Sequence, residues 1–162
     1  MSQTKRILIA VVLLIVIGGA VLGAEILRRQ RVTDGDLAAG SIPIYVDGDL
    51  EAAFTPDDLE NLEEVSFVDA EEGKTQEGWM LCDVLLLHVS EDHLTPETRI
   101  TVISSSRDKS AELTWCEVDD AESMVIFDLS GRGTLKLVSR LPRLDVRDEW
   151  VQDTDRIEIE TP

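Results

Sequence analysis

The sequence predicts an α+β protein, a mixed β sheet or flattened barrel with few short helices, preceded by one N-terminal transmembrane helix. Three observations favour this class. An uncharged apolar run opens the chain, and residues 78–89 have the apolar spacing of a helix. Most of the remaining chain consists of short alternating or β-branched segments separated by turn residues. A chain of 162 residues is long enough for one such domain with its own core, plus a tail.

The N-terminal segment has the composition of a membrane span. Residues 7–24 carry no charge, and two more apolar residues follow Glu25. The run is then close to the roughly 20 residues that cross a bilayer. No polar face accompanies it, which disfavours an interfacial helix. We predict a cytoplasmic tail, a transmembrane helix and a linker over residues 1–6, 7–27 and 28–41.

Two properties of this segment have alternative interpretations: whether it is cleaved, and which way it is oriented in the membrane. Basic residues before the run and small residues at its end are also typical of a cleaved signal peptide. The length of the run and the bulky Leu22, third before a cut after Ala24, favour an uncleaved anchor. Basic residues flank both ends, so the positive-inside rule is nearly balanced. Because a short tail precedes a large body, we expect a single-pass cell-membrane protein with an extracytoplasmic C-terminal domain.

The charge of the chain restricts its partners. The net charge is −18, and residues 1–31 hold five basic residues and one acidic residue. The remainder therefore has 10 basic and 32 acidic residues, a net of −22. Such a domain repels phosphate backbones and anionic lipid surfaces, which excludes nucleic acid as a partner. Abundant acid with few lysines is also typical of salt adaptation, but a soluble, self-repelling surface is the simpler interpretation.

The predicted module covers residues 42–160. Pro43 near the start of its first strand indicates an edge position. A short helix over residues 55–62 begins with a capping threonine and a proline. Turns are predicted at residues 47–49, 71–74 and 130–133. Strands are predicted at residues 42–46, 65–69, 99–104, 111–115, 124–129, 135–138 and 156–160.

Residues 78–89 are predicted to form the central helix of the module. Gly78 would let the chain turn sharply into the helix. One face would fill the core with Met80, Leu81, Val84, Leu85 and Leu87.

The two cysteines and two histidines suggest no metal site. Cys82 and Cys116 are 34 residues apart among apolar neighbours, which predicts buried free thiols. A single disulfide between the two cysteines is the alternative if the domain lies outside the cytoplasm. His88 and His93 are five residues apart, whereas metal pairs on one helical face need three or four. Surface histidines are the favoured interpretation.

The acidic motifs are predicted to be structural. Residues 47–51 begin like a calcium loop, but they lack its glycine at position six and its later glutamate. A plain Asp-Gly turn is therefore favoured. Asp119, Asp120 and Glu122 could bind a cation weakly, yet a solvated loop is the simpler interpretation.

Other motifs also fall short of a site. Residues 104–106 with Asp108 lack the glycines of a nucleophile elbow. Residues 130–134 have too few glycines, and no following helix, for a phosphate cradle. Packing is the expected role of Trp79, Trp115 and Trp150. The sequence thus predicts no catalytic, cofactor-binding or metal-ligating residue.

The order of five motifs resembles the oxidoreductase molybdopterin-binding domain of the sulfite oxidase type. That family has a Thr/Ser…Asp-Leu helix, a Gly-Val-Pro-Leu-x-Asp-Leu-Leu helix, a Val-x-Ser-x-Asp-Gly strand and turn, a Gly-x-Leu-Arg-Leu-Val segment and a closing Trp-Val…Ile-Glu strand. The corresponding segments here are residues 55–59, 78–85, 102–108, 133–138 and 150–158. The resemblance covers residues 42–160 and implies the fold.

The same resemblance argues against the cofactor. In the enzymes a cysteine thiolate between the first two helices binds molybdenum, and the equivalent residues 63–77 contain no cysteine. The cluster of basic residues that grips the pterin phosphate is missing, and Lys109 follows Asp108 where the family has an aromatic residue after Asp-Gly. In the enzymes the second helix lies beside the cofactor pocket, so here it is expected to border an empty or repurposed cleft.

Three functional hypotheses follow. The first is a non-catalytic extracytoplasmic module without a cofactor, which binds a small ligand or a protein partner in a membrane complex. The second is a pterin- or metal-dependent redox protein, or a subunit of a membrane redox complex, with Cys82 or Cys116 as ligand. The third is a salt-adapted or cation-dependent surface protein that uses its acidic loops.

Overall fold

The computed structural model describes residues 37–162. Within them, ten strands and two α-helices are joined by turns and single-turn 3₁₀ helices, which confirms the predicted α+β class. The predicted tail, the transmembrane helix and most of the linker fall outside the described residues. In residues 37–162 no helix is both long and apolar enough to cross a membrane.

The strands form two five-stranded sheets. The first has the order β2-β1-β10-β5-β6 and is mixed, because β1 and β10 pair in parallel. The second has the order β3-β4-β7-β8-β9 and is antiparallel throughout. The strands are β1 (Ile42–Val46), β2 (Asp49–Phe54), β3 (Glu64–Val68), β4 (Thr75–Met80), β5 (Arg99–Ser104), β6 (Lys109–Thr114), β7 (Ile126–Leu129), β8 (Leu135–Val138), β9 (Val151–Gln152) and β10 (Arg156–Glu160). The helices are α1 (Leu81–His88) and α2 (Trp115–Asp119).

The prediction of an edge position for β1 is wrong. This strand lies between β2 and β10. Proline has no backbone N–H, and Pro43 is tolerated because the parallel register with β10 begins one residue later, at Ile44. The neighbouring strand β2 was not predicted. It follows a tight turn in which Asp47 and Gly48 have φ of 51° and 85°, as two-residue hairpins require.

Helix α1 is shorter than predicted, and helix α2 was not predicted. The central helix begins at Leu81, because Gly78, Trp79 and Met80 continue β4. Gly78 serves close strand pairing: a Cβ there would lie 1.9 Å from the carbonyl oxygen of Phe127 in β7. Helix α2 begins at Trp115, the last residue of a predicted strand.

Two apolar clusters stabilise the domain. The main core combines residues from both sheets with α1 and α2, including Ile44, Val84 and Phe127. The smaller cluster consists of five buried residues and their partly buried neighbours. Within β7, Ile126 joins the small cluster and the adjacent Phe127 joins the main core. Successive strand residues face opposite sides, so the second sheet packs apolar residues on both faces. The five residues of the small cluster are Phe67, Met80, Ile126, Val138 and Trp150.

Candidate functional site

The outer face of α1 exposes two adjacent leucines. Val84 and Leu85 are fully buried, whereas Leu86 and Leu87 are 42% and 54% exposed. The prediction that Leu87 packs into the core is therefore wrong, while the predicted burial of the other core-face residues of this helix is confirmed. Among the described residues, Val68 and Leu129 are the other exposed large hydrophobic residues. We call Leu86 and Leu87 the outer leucine pair.

Acidic residues lie on both chain segments that flank this pair. Asp83 precedes Leu86 and Leu87 by three and four residues, which places it on the same side of the helix. Glu91 and Asp92 are exposed in the 3₁₀ helix that follows α1. Asp58, also exposed, acts electrostatically on His88. The outer leucine pair is thus an apolar centre with an acidic surround.

His88 fixes the end of α1 against the first sheet. Its ring stacks on Phe54 of β2, with the ring centroids 5.3 Å apart. Burial lowers the pKa of His88, and the nearby Asp58 carboxylate opposes that shift. The predicted surface location is wrong for His88, because this packing half-buries the ring. Within residues 37–162, no three His, Cys, Asp or Glu side chains come together in an arrangement that could hold a metal ion.

The two cysteines are free thiols in different surroundings. Cys82 is half-buried in the first turn of α1, and burial together with the Asp83 charge raises its pKa to about 11. Cys116 is exposed on α2, so the predicted burial of this thiol is wrong. A raised pKa disfavours the thiolate that metal ligation or nucleophilic attack requires, which makes Cys82 a packing residue.

The serine run and the Gly-Arg-Gly loop, distant in sequence, meet at Asp153. Arg107 Nε donates a 2.7 Å hydrogen bond to the Asp153 carboxylate, and Arg132 Nη2 donates to both of its oxygens at 3.0 and 3.1 Å. Thr134 Oγ1 donates a further bond at 2.7 Å, and Ser104 Oγ donates to the Asp153 backbone carbonyl at 3.0 Å. We call these five residues the Asp153 cluster.

The Asp153 cluster joins three loops. The hydrogen bond from Thr134 and those from Arg107 lower the pKa of Asp153 and keep it ionised. The Asp153 carboxylate accepts the arginine and threonine hydrogen bonds that an external anion would otherwise accept at this place. The sequence did not predict this cluster. Asp153 adopts a left-handed φ of 57°, and that conformation does not follow from its residue type alone.

The remaining acidic motifs serve local structure. Asp47, first residue of the calcium-like turn, accepts hydrogen bonds from Thr161 N and Oγ1 at 2.9 and 2.7 Å, which lower its pKa. Asp120 accepts from Glu122 N and Ser123 Oγ at 3.1 and 2.8 Å. The predicted packing role of the tryptophans is confirmed, since Trp79, Trp115 and Trp150 are buried.

Comparison with known proteins gives no identification. The sequence matches no model of a known protein family, and it has no significant match among curated proteins.

Proposed function

We propose that this chain is a membrane-anchored, non-catalytic extracytoplasmic domain that binds a protein partner of a membrane complex through the outer leucine pair. The observation that carries the proposal is the exposure of Leu86 and Leu87 directly beside the buried Val84 and Leu85. Adjacent exposed leucines on a helix held in place by its buried face form a preorganised apolar contact.

Covering the outer leucine pair would supply part of the free energy of binding, and the surrounding contacts with the partner would supply the rest. Complete burial of a leucine side chain contributes about 1.5–3 kcal/mol relative to full exposure. Because each side chain is already about half buried, covering both leucines would add on the order of 1.5–3 kcal/mol in total. Apolar patches rimmed by polar residues are typical of interaction sites.

The charges around the pair define the partner. Asp83, Glu91 and Asp92 favour a surface that presents lysine or arginine around an apolar centre. A second copy of this chain is disfavoured, because two chains of net charge −18 repel each other. Complementary charge of this kind raises the association rate and makes binding weaken with salt.

The family resemblance supports the same proposal. The motif order over residues 42–160 resembles that of the sulfite oxidase type of molybdopterin-binding domain, which we propose as the origin of this fold. The segment that supplies the molybdenum ligand in that family has no cysteine here, and the half-buried Cys82 thiol has a raised pKa. A binding role without the cofactor accounts for both features.

A synthetic helical peptide of leucine and lysine tests the binding surface. The full chain in detergent is titrated with this peptide, and with a leucine–glutamate peptide as control. We expect the Leu86→Ser/Leu87→Ser variant to bind the lysine peptide about tenfold or more weakly, and Leu129→Ser to bind as the wild type does. Equal losses in both variants, or equal binding of the two peptides, would contradict the proposal.

Cofactor content tests the non-catalytic assignment. The full chain is purified from its native host, and molybdenum and pterin are quantified against protein. We expect neither at stoichiometric levels. Stoichiometric molybdenum or pterin would overturn this part of the proposal and favour the redox alternative.

A further inference from the structure

A small groove is lined by residues of the second sheet and its adjoining segments, and neither residue of the outer leucine pair lines it. It has a volume of about 210 Å³ and lies between the end of β3 and the segment that follows β8. Phe67, a member of the small apolar cluster, lines it. Its other lining residues are Val68, Ala70, Ser139, Arg140 and Asp145.

Arg140 places an unpaired cation in this groove. Its guanidinium carbon lies 5.4 Å from the centre of the Phe67 ring, which holds the guanidinium by a cation–π interaction. No carboxylate of the described residues lies within 4.0 Å of this side chain. The other six arginines of residues 37–162 each form such an ion pair, namely Arg99, Arg107, Arg132, Arg143, Arg147 and Arg156.

Asp145 places an unpaired anion in the same groove. Among the described residues, its carboxylate forms no hydrogen bond and no ion pair. Its position is nevertheless fixed, because the preceding Leu144 is buried and the Leu144 carbonyl accepts a 3.0 Å hydrogen bond from Trp150 Nε1. Arg140 and Asp145 line the same opening, and they do not form an ion pair with each other.

The remaining lining is apolar or already satisfied. Val68 is 58% exposed, and Ala70 adds a second exposed aliphatic side chain. Ser139 Oγ donates to the Ser123 carbonyl at 2.7 Å and accepts from Leu141 N at 3.0 Å. The serine thus stabilises the loop and leaves recognition to the two charges and the apolar surface.

We infer that this groove binds an α-amino acid with an apolar side chain. The carboxylate would bind the Arg140 guanidinium, which matches a carboxylate in two parallel hydrogen bonds. The ammonium group would bind Asp145, and the side chain would pack on Phe67, Val68 and Ala70. A zwitterion carries no net charge, so the −18 chain does not repel it as it would a simple anion.

Calorimetric titration of the full chain with L-leucine tests the inference. Two analogues separate the contributions: L-leucinamide lacks the carboxylate, and 4-methylpentanoate lacks the ammonium group. We expect saturable binding of L-leucine and at least tenfold weaker binding of either analogue. Absence of L-leucine binding at millimolar concentration, or leucinamide affinity equal to that of L-leucine, would overturn the inference.

Matched variants assign the binding to the groove. Arg140→Gln and Asp145→Asn should each weaken L-leucine binding at least tenfold. Lys109→Gln removes another cation without an ion pair in the described residues and should change nothing. The Leu86→Ser/Leu87→Ser variant should also retain L-leucine binding, because the groove does not depend on the outer leucine pair. Unchanged affinity in Arg140→Gln, with its unfolding temperature also unchanged, would contradict the assignment.

Discussion

Four consecutive apolar residues of α1 divide into two pairs with opposite surroundings. Val84 and Leu85 are fully buried in the main core, and Leu86 and Leu87 are exposed. An α-helix turns about 100° per residue, so four successive side chains spread over roughly 300° and cannot all face one core. The first pair therefore builds the fold, and the exposed second pair is the surface that we propose for binding.

Truncating one buried leucine and one exposed leucine of α1 should give the largest difference in stability between two variants. Leu85→Ala should lower the free energy of unfolding by about 3–4 kcal/mol, because it leaves a cavity in a fully buried site. Leu87→Ala should change it by about 0.5 kcal/mol or less. Urea unfolding of the full chain, followed by circular dichroism, measures both. Similar losses in the two variants would contradict the division.

Adding a methyl group at Gly78 should break the strand that leads into α1. The Cβ would lie 1.9 Å from the Phe127 carbonyl oxygen, so β4 and β7 must separate. We expect Gly78→Ala to lower the free energy of unfolding by about 3 kcal/mol. The control is Gly131→Ala, where the added Cβ meets no atom within 4 Å. If thermal unfolding were the same in both variants, the close approach of the strands would be incorrect.

Removing the charge of Asp153 should have a moderate effect that depends on pH. Asp153→Asn should lower the free energy of unfolding by about 1–2 kcal/mol at pH 7, because Arg107 and Arg132 would then donate to a neutral acceptor. Asp108→Asn is the control, since Asp108 has a similar left-handed φ of 51° and belongs to no such cluster.

The pH dependence of this effect has a defined sign. The pKa of Asp153 is lowered in the folded state. Its stabilisation is therefore fully present above the unfolded carboxyl pKa of about 3.9 and is lost as pH falls through the folded value. The difference between wild type and Asp153→Asn should shrink below about pH 4. A difference that stays constant from pH 7 to pH 3 would refute the ionic role.

The smallest expected effect is on the reactivity of Cys82, the half-buried thiol in the first turn of α1. Cys82 has a pKa of about 11, whereas Cys116 is exposed. Because the thiolate is the reactive form, iodoacetamide at pH 8 should label Cys116 first. Labelling of Cys82 should rise about tenfold per pH unit up to its pKa. Peptide mass spectrometry measures both rates, and equal labelling at pH 8 would contradict the half-buried environment.

The sequence was informative where local chemistry decides the structure. The β-branched residues of 99–104 and the alternation of 156–160 predicted β5 and β10 with their observed bounds. The sequence was uninformative where contacts between residues distant in the chain decide the structure. The non-alternating β2 forms because Asp47 and Gly48 direct the chain back along β1. Gly78 has the same residue type as a turn glycine, and its role depends on Phe127, 49 positions later.

The same distinction holds for the candidate sites. Arg107, Arg132 and Asp153 come from three loops, and the groove of Arg140 and Asp145 is closed by Phe67 from a distant strand. Neither arrangement has a short motif. The outer leucine pair was not predicted, because the helical pattern placed Leu87 in the core. Which side of the helix is buried depends on where the helix begins and ends.

The most direct test of the account measures stability and binding on the same Leu86→Ser/Leu87→Ser sample. We expect its free energy of unfolding to fall by about 1 kcal/mol, well below the loss in Leu85→Ala, while its affinity for the leucine–lysine peptide falls about tenfold or more. That result would separate the binding face of α1 from the face that builds the core. A loss of stability as large as that of Leu85→Ala, with unchanged peptide affinity, would contradict the account, because the outer leucine pair would then serve the fold and not a partner.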